Sequence, residues 1–142
     1  MDNPKMLHIL LVDDDAVDVM TVQRAFKRNN ILNPLYIASD GREALAILRG
    51  EGDVTIPGER RLILLDLNMP RMNGLEFLRE LREDPDLRAL TVVVLTTSGD
   101  ERDKIEAYNL NVAGYILKPV TFVAFVEAMS ALNKYWSINE LL

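Results

Sequence analysis

The chain has 142 residues, 16 basic and 22 acidic, for a net charge of −6. That size suits one domain whose core needs no covalent staple, and 49% apolar with 27% charged residues is ordinary globular usage. The acidic balance argues against a nucleic-acid partner, the lack of cysteine removes disulfide and thiolate chemistry, and a single histidine, His8, leaves no multi-histidine metal site.

No stretch approaches the roughly 18 uninterrupted apolar residues of a membrane span, and residues 1–12 lack the pattern of a signal peptide. The expected location is the cytoplasm, with no membrane partner. Residues 1–142 are expected to form one domain, with a core over about residues 6–134 and an extension over 135–142.

In chain order, Leu7–Val12 is an apolar run that stops at Asp13, Asp14 and Asp15. It reads as a strand buried on both faces. His8 in that strand is expected near an edge or the surface. Asp15 can cap a following helix, with Asp18 in its first turn, where a carboxylate suits the helix dipole. Val19, Val22 and Phe26 supply its apolar stripe, and Asn29, Asn30, Asn33 and Pro34 end it. Leu35–Ala38 is a short strand. Ser39-Asp40-Gly41 marks a turn and cap before a helix over Arg42–Arg49 that Gly50 terminates.

Residues 50–61 read as a loop. Leu62–Leu65 is a second buried strand, ending at Asp66. A helix with Leu75, Leu78 and Leu81 inward follows Asn73-Gly74 and closes near Pro85. Thr91–Leu95 is a third strand, running into Thr96-Thr97-Ser98-Gly99. Asp100–Asn109 is a weak helix whose stripe is Ile105 and Tyr108. Gly114–Leu117 is a last short strand before Lys118-Pro119, and Thr121–Trp136 is a final helix.

Five strands alternating with five helices predict βαβ units, a parallel sheet and helices on both faces, an α/β doubly wound architecture. The runs at 7–12, 62–65 and 91–95 suit the centre, and the two short strands suit the edges. In such sheets ligands bind beyond the carboxyl ends of the strands. Asp13, Asp14, Asp66, Thr96 and Lys118 all stand there. Clustered carboxylates repel one another, and a hard divalent ion such as Mg²⁺ relieves that repulsion through oxygen ligands. One or two carboxylates and a backbone carbonyl, at Asn68, suit the ion. A remaining carboxylate can attack phosphorus, with the Lys118 ammonium and the Thr96 hydroxyl on the phosphoryl oxygens.

Five segments, in this order and on these elements, resemble the receiver domain of bacterial two-component response regulators. They are Ile9-Leu10-Leu11-Val12-Asp13-Asp14, Asp40-Gly41-Arg42-Glu43-Ala44-Leu45, Leu65-Asp66-Leu67-Asn68-Met69-Pro70-Arg71-Met72-Asn73-Gly74, Val94-Leu95-Thr96-Thr97 and Gly114-Tyr115-Ile116-Leu117-Lys118-Pro119. The resemblance implies a flavodoxin-like receiver fold with strand order 2-1-3-4-5. It implies Asp66 as phospho-acceptor and Mg²⁺ held by Asp13, Asp14, Asp66 and the Asn68 carbonyl. It further implies Lys118 on the phosphate, Thr96 as switch hydroxyl and Tyr115 as switch aromatic. Thr97 departs from the usual small residue, and its bulk is expected to narrow access to an acyl phosphate.

Asp14-Asp15-Ala16-Val17-Asp18-Val19, Ala25-Phe26-Lys27-Arg28-Asn29, the long loop before Leu62, Leu67-Asn68-Met69-Pro70 and Tyr135-Trp136 look like the small regulators that partner phytochrome histidine kinases. With no room for an output domain, a stand-alone signalling module is expected, a phospho-acceptor with slow self-dephosphorylation and not a conventional enzyme. The rival is a metal-dependent phosphohydrolase using Asp66. Such enzymes commonly need an acid/base carboxylate two residues past the nucleophile, where Asn68 stands here. In the final helix Phe122, Phe125, Val126, Met129 and Leu132 form one apolar stripe. A second set, Val123, Ala124, Ala128, Ala131 and Tyr135, runs on into Trp136, Ile138, Leu141 and Leu142. One face covers the sheet, and the other predicts a homodimer.

Overall fold

The computed structural model describes residues 7–28, 30, 32–57 and 61–118. The expected helix Thr121–Trp136, the extension 135–142 and the dimer face assigned to them lie outside the described residues. The elements are β1 (His8–Val12), α1 (Ala16–Arg28), β2 (Leu35–Ala38), α2 (Gly41–Arg49), β3 (Arg61–Leu65), α3 (Gly74–Glu83), β4 (Thr91–Thr96), α4 (Glu101–Asn109) and β5 (Gly114–Leu117). The strands form one parallel sheet in the order β2-β1-β3-β4-β5. The order and the central runs match the sequence expectation.

Alternation along the central strands separates two apolar layers, because successive side chains point to opposite faces. Leu10, Val12, Ile63, Leu65, Val92 and Val94 pack with Ala44, Leu45 and Leu48 of α2 and Phe77, Leu78 and Leu81 of α3. Ile9, Leu11, Leu62, Leu64, Val93 and Leu95 pack with Val22, Ala25 and Phe26 of α1. Burial on both faces is what a parallel sheet requires, and it explains why these strands read as unbroken apolar runs.

Local signals set the helix ends. Asp15 Oδ1 accepts from the Val17 amide at 2.8 Å and opens α1. Asp40 caps α2 by accepting from the Glu43 amide, and Gly50 closes it in the left-handed region at φ 69°. Asn73 and Glu76 form a reciprocal capping box on α3.

Two expectations fail in detail, at His8 and on α4, and a third gains a residue. His8 is buried in β1, 5% exposed, with Nδ1 3.2 Å from the Tyr36 hydroxyl. A central strand has no wet edge, and the neighbouring β2 supplies the polar partner. On α3, Leu78 and Leu81 are in the core and Leu75 packs half-buried against it, as expected, and Phe77 joins them there. On α4, Ile105 and Tyr108 are 57% and 46% exposed, and Ala107 is the fully buried residue. The spacing on α4 is helical, but its apolar pair faces outward.

Polar contacts with α3 replace an apolar stripe in seating α4. Arg79 pairs with Glu106. The Arg82 guanidinium donates to the carbonyls of Leu110 at 2.7 Å, Arg88 at 2.8 Å, Leu90 at 2.7 Å and Asn111 at 3.2 Å. These include carbonyls at the C-terminal end of α4 and in the segment leading into β4. Arg82→Ala is expected to leave them unpaired and to lower unfolding free energy by about 2–3 kcal/mol. Urea denaturation checks this, and a loss under about 0.5 kcal/mol would place the support of α4 elsewhere.

Candidate functional site

The ladder of the sheet runs one residue past the strands and fixes three side chains. The Asp13 amide donates to the Ala38 carbonyl at 3.0 Å, the Asp66 amide to Val12 at 2.9 Å, and the Lys118 amide to Thr96 at 2.7 Å. Asp13, Asp66 and Lys118 therefore leave the sheet at one edge with their backbones held. The start of α3 presses on this edge. The Gly74 amide donates to the Leu67 carbonyl at 3.0 Å, and a Cβ at Gly74 would stand 2.5 Å from the Asp66 carbonyl oxygen. A glycine is needed there by close approach, since the backbone around Asp66 has nowhere to go.

Lys118 Nζ is the centre of the cluster. It donates to Asp18 Oδ2 at 2.6 Å and Asp13 Oδ2 at 2.8 Å, and lies 3.4 Å from Asp66 Oδ2. The other oxygens are also held: Asp13 Oδ1 accepts from the Asp15 amide at 2.9 Å, and Asp66 Oδ1 from the Asn68 amide at 3.1 Å. Asp13, Asp66 and the Lys118 side chain are buried, while the Asp18 side chain is 32% exposed.

Three carboxylates face one ammonium. Burial pushes the Asp13 carboxyl up, and the Asp66 charge adds to the rise; the bonds from Lys118 and the Asp15 amide oppose it without cancelling it. Burial alone would lower the lysine, but its bonds to Asp13 and Asp18 outweigh burial and raise it. The ammonium stays charged at any ordinary pH, and negative charge remains in excess.

One oxygen from each of Asp13, Asp18 and Asp66 lies within 4.8 Å of the others. All are hard oxygen donors, and the excess charge matches a hard divalent cation. The donor set therefore fits a metal, which would share the pocket with the lysine. Asp14 is exposed and lies outside this group of three.

Asp18 is the residue that sequence reasoning missed. From sequence it reads as a first-turn acid of α1, yet that turn begins directly beyond Asp13. A third acid on the helix entering from an acidic strand end is the available signal. The Thr96 side chain is fully buried and its hydroxyl accepts from the Ser98 amide at 3.3 Å. The Thr97 hydroxyl is exposed and accepts from Asn68 Nδ2 at 3.0 Å, so Thr97 tethers the Asn68 side chain. Tyr115 is half-buried, and its hydroxyl donates to the Ser98 carbonyl at 2.7 Å. Burial pushes its phenol up. Thr96 and Tyr115 thus meet the same β4–α4 loop residue from two strands.

The family described as "Response regulator receiver domain" matches residues 9–130. The chain belongs to this receiver family. Among curated relatives, "Response regulator Rcp1" of Synechocystis sp. is 38% identical over 128 residues, covering 90% of this chain and 87% of that protein. The structure of the phosphorylated cyanobacterial phytochrome response regulator RcpA has a TM-score of 0.79 and 35% identity, with 92% of this chain and 93% of that chain covered. The bacteriophytochrome response regulator RtBRR is 41% identical with a TM-score of 0.76, covering 88% of this chain and 77% of that one. A Mn²⁺-bound form of Rcp1 is also similar, with a TM-score of 0.77, 38% identity and 92% and 94% coverage. No described helix is long and apolar enough to cross a membrane.

Metal and protons compete for Asp13. Because its folded value is raised, it takes a proton at a pH where an ordinary carboxylate has lost it. Mn²⁺ affinity, measured by calorimetry, is expected to fall as pH drops into the carboxylate range, beginning at a higher pH than an ordinary aspartate would cause, and to fall less in Asp13→Asn. By linkage, the folded state binds this extra proton, so the metal-free protein gains stability from Asp13 as pH drops through the same window. An affinity flat across that range would contradict a raised Asp13.

Proposed function

We propose that this chain is a stand-alone response regulator that accepts a phosphoryl group from the phosphohistidine of a histidine kinase onto Asp66. The observation that carries this reading is the position of Asp66: a buried carboxylate at the end of β3, beside the Lys118 ammonium and among Asp13 and Asp18. One Asp66 oxygen attacks phosphorus. The new O–P bond forms as the N–P bond breaks, and the imidazole nitrogen leaves with its electron pair and takes up a proton. Lys118 and the Thr96 hydroxyl are assigned to the phosphoryl oxygens. Tyr115 is assigned to the switch that reports their capture through the Ser98 loop.

Mg²⁺ is the proposed cofactor, held by Asp13, Asp66 and the Asn68 carbonyl, with Asp14 as a ligand at the exposed mouth. Bound there, it neutralises the excess charge and polarises the phosphoryl oxygens. Asn68 in place of an acid/base carboxylate disfavours a phosphohydrolase, so turnover beyond slow self-dephosphorylation is not expected. The names of the similar proteins favour a phytochrome-type sensor kinase as donor. Residues 1–142 are taken as one receiver unit, with its core over about 6–134, acting in the cytoplasm without a nucleic-acid or membrane partner.

Asp66→Asn keeps the shape and removes the nucleophile. With phosphoramidate and Mg²⁺ it should form no acid-labile phosphate while retaining the wild-type circular dichroism spectrum. Label at the wild-type rate would reject Asp66 as acceptor.

The two apolar stripes of residues 121–136 and the tail to Leu142 support a homodimer. Sedimentation at tens of micromolar should give a dimer for the full chain and a monomer for a chain cut after Lys134. A truncated chain that dimerises equally well would remove the tail from the interface.

A further inference from the structure

Lys118 Nζ has three hydrogens and three carboxylate neighbours, but it does not share itself equally. The contacts to Asp18 and Asp13, at 2.6 and 2.8 Å, are short charge-assisted bonds. The contact to Asp66, at 3.4 Å, is beyond the normal range for such a bond. Asp13 follows β1, whereas Asp18 reaches the lysine from the first turn of α1 and makes the shortest of the three contacts.

From this geometry we infer that Asp18 is a positioning residue: it holds Lys118 back from Asp66 until the phosphoryl group arrives. The inference rests on Asp66 being the acceptor. An ammonium bonded at full strength to Asp66 would take up the lone-pair density that must attack phosphorus and would stand in the path of the incoming group. Held by Asp18 and Asp13, it leaves the Asp66 oxygen less engaged while staying one short movement from the phosphoryl oxygens. The helix dipole favours a carboxylate in this turn but does not direct it at the lysine, and the capping bond that opens α1 is made by Asp15.

Asp18→Asn keeps the side chain's size and weakens its hold on the lysine. The test is a four-protein cycle on the full chain: wild type, Asp18→Asn, Lys118→Met and the double variant, with Asp18→Glu as the conservative control. In metal-free buffer Asp18→Asn should lower the thermal midpoint by about 2–4 °C when Lys118 is present. In the Lys118→Met background the same change should raise the midpoint, because the carboxylate then meets only like charges. With phosphoramidate and Mg²⁺, Asp18→Asn should slow labelling about three- to tenfold when Lys118 is present and leave the rate unchanged when it is absent. Asp18→Glu should restore most of the rate.

The same midpoint shift in both backgrounds would overturn the inference, as would a labelling rate indifferent to Asp18 in the presence of Lys118. A wild-type chain that takes no label at Asp66 would instead reject the acceptor reading. The midpoint cycle would then still decide whether Asp18 holds the lysine.

Discussion

The ammonium of Lys118 stands among three carboxylates that reach it from the ends of β1 and β3 and from the first turn of α1. Lys118 itself follows β5, the far edge of the sheet from β2. This one group links elements widely separated in the chain. It does so at the only end of a parallel sheet where every strand delivers its C-terminal residue. Three acids gathered there would repel one another strongly in a half-buried pocket. One buried cation makes the cluster tolerable without neutralising it. The remaining negative charge suits a divalent ion, and in the proposed reaction that ion and the lysine would together meet a further anion, the phosphoryl group.

The sheet gives this arrangement its rigidity. Backbone bonds beyond the strand ends clamp Asp13, Asp66 and Lys118, and the packed start of α3 blocks the Asp66 backbone from behind. The functional side chains are thus placed by the most buried part of the molecule. The surrounding loop is tied differently. In the β4–α4 turn Ser98 bonds Thr96, Tyr115 and Asp103, and α4 rests on arginine contacts instead of a broad apolar face. Such a segment can change its seating without disturbing the core, which is what a switch that responds to the site requires.

The strands were legible because burial on both faces leaves an apolar run with an abrupt polar end, and the polar ends supply the candidate site. Asp13, Asp66, Thr96 and Lys118 could be found that way from sequence alone. Asp18 could not, because on a helix an acid in the first turn has a sufficient local explanation. Only the tertiary fold shows that this turn leans over the strand end. The outward stripe of α4 and the buried His8 failed for a related reason. Periodicity reports which residues share a face, while the neighbours decide which face is buried. Here those neighbours are Arg79 and Arg82 for α4 and Tyr36 for His8.

The central claim is that Lys118 is a buried, shared cation. A ¹⁵N-selective proton spectrum of the lysine ammonium groups, recorded on the metal-free full chain at neutral pH, tests it most directly. One ammonium signal, absent in Lys118→Met, should exchange slowly with water and shift when Mg²⁺ is added. Fast exchange for every lysine, with no signal lost in Lys118→Met, would show that the ammonium is solvated and that the acidic pocket is balanced in some other way.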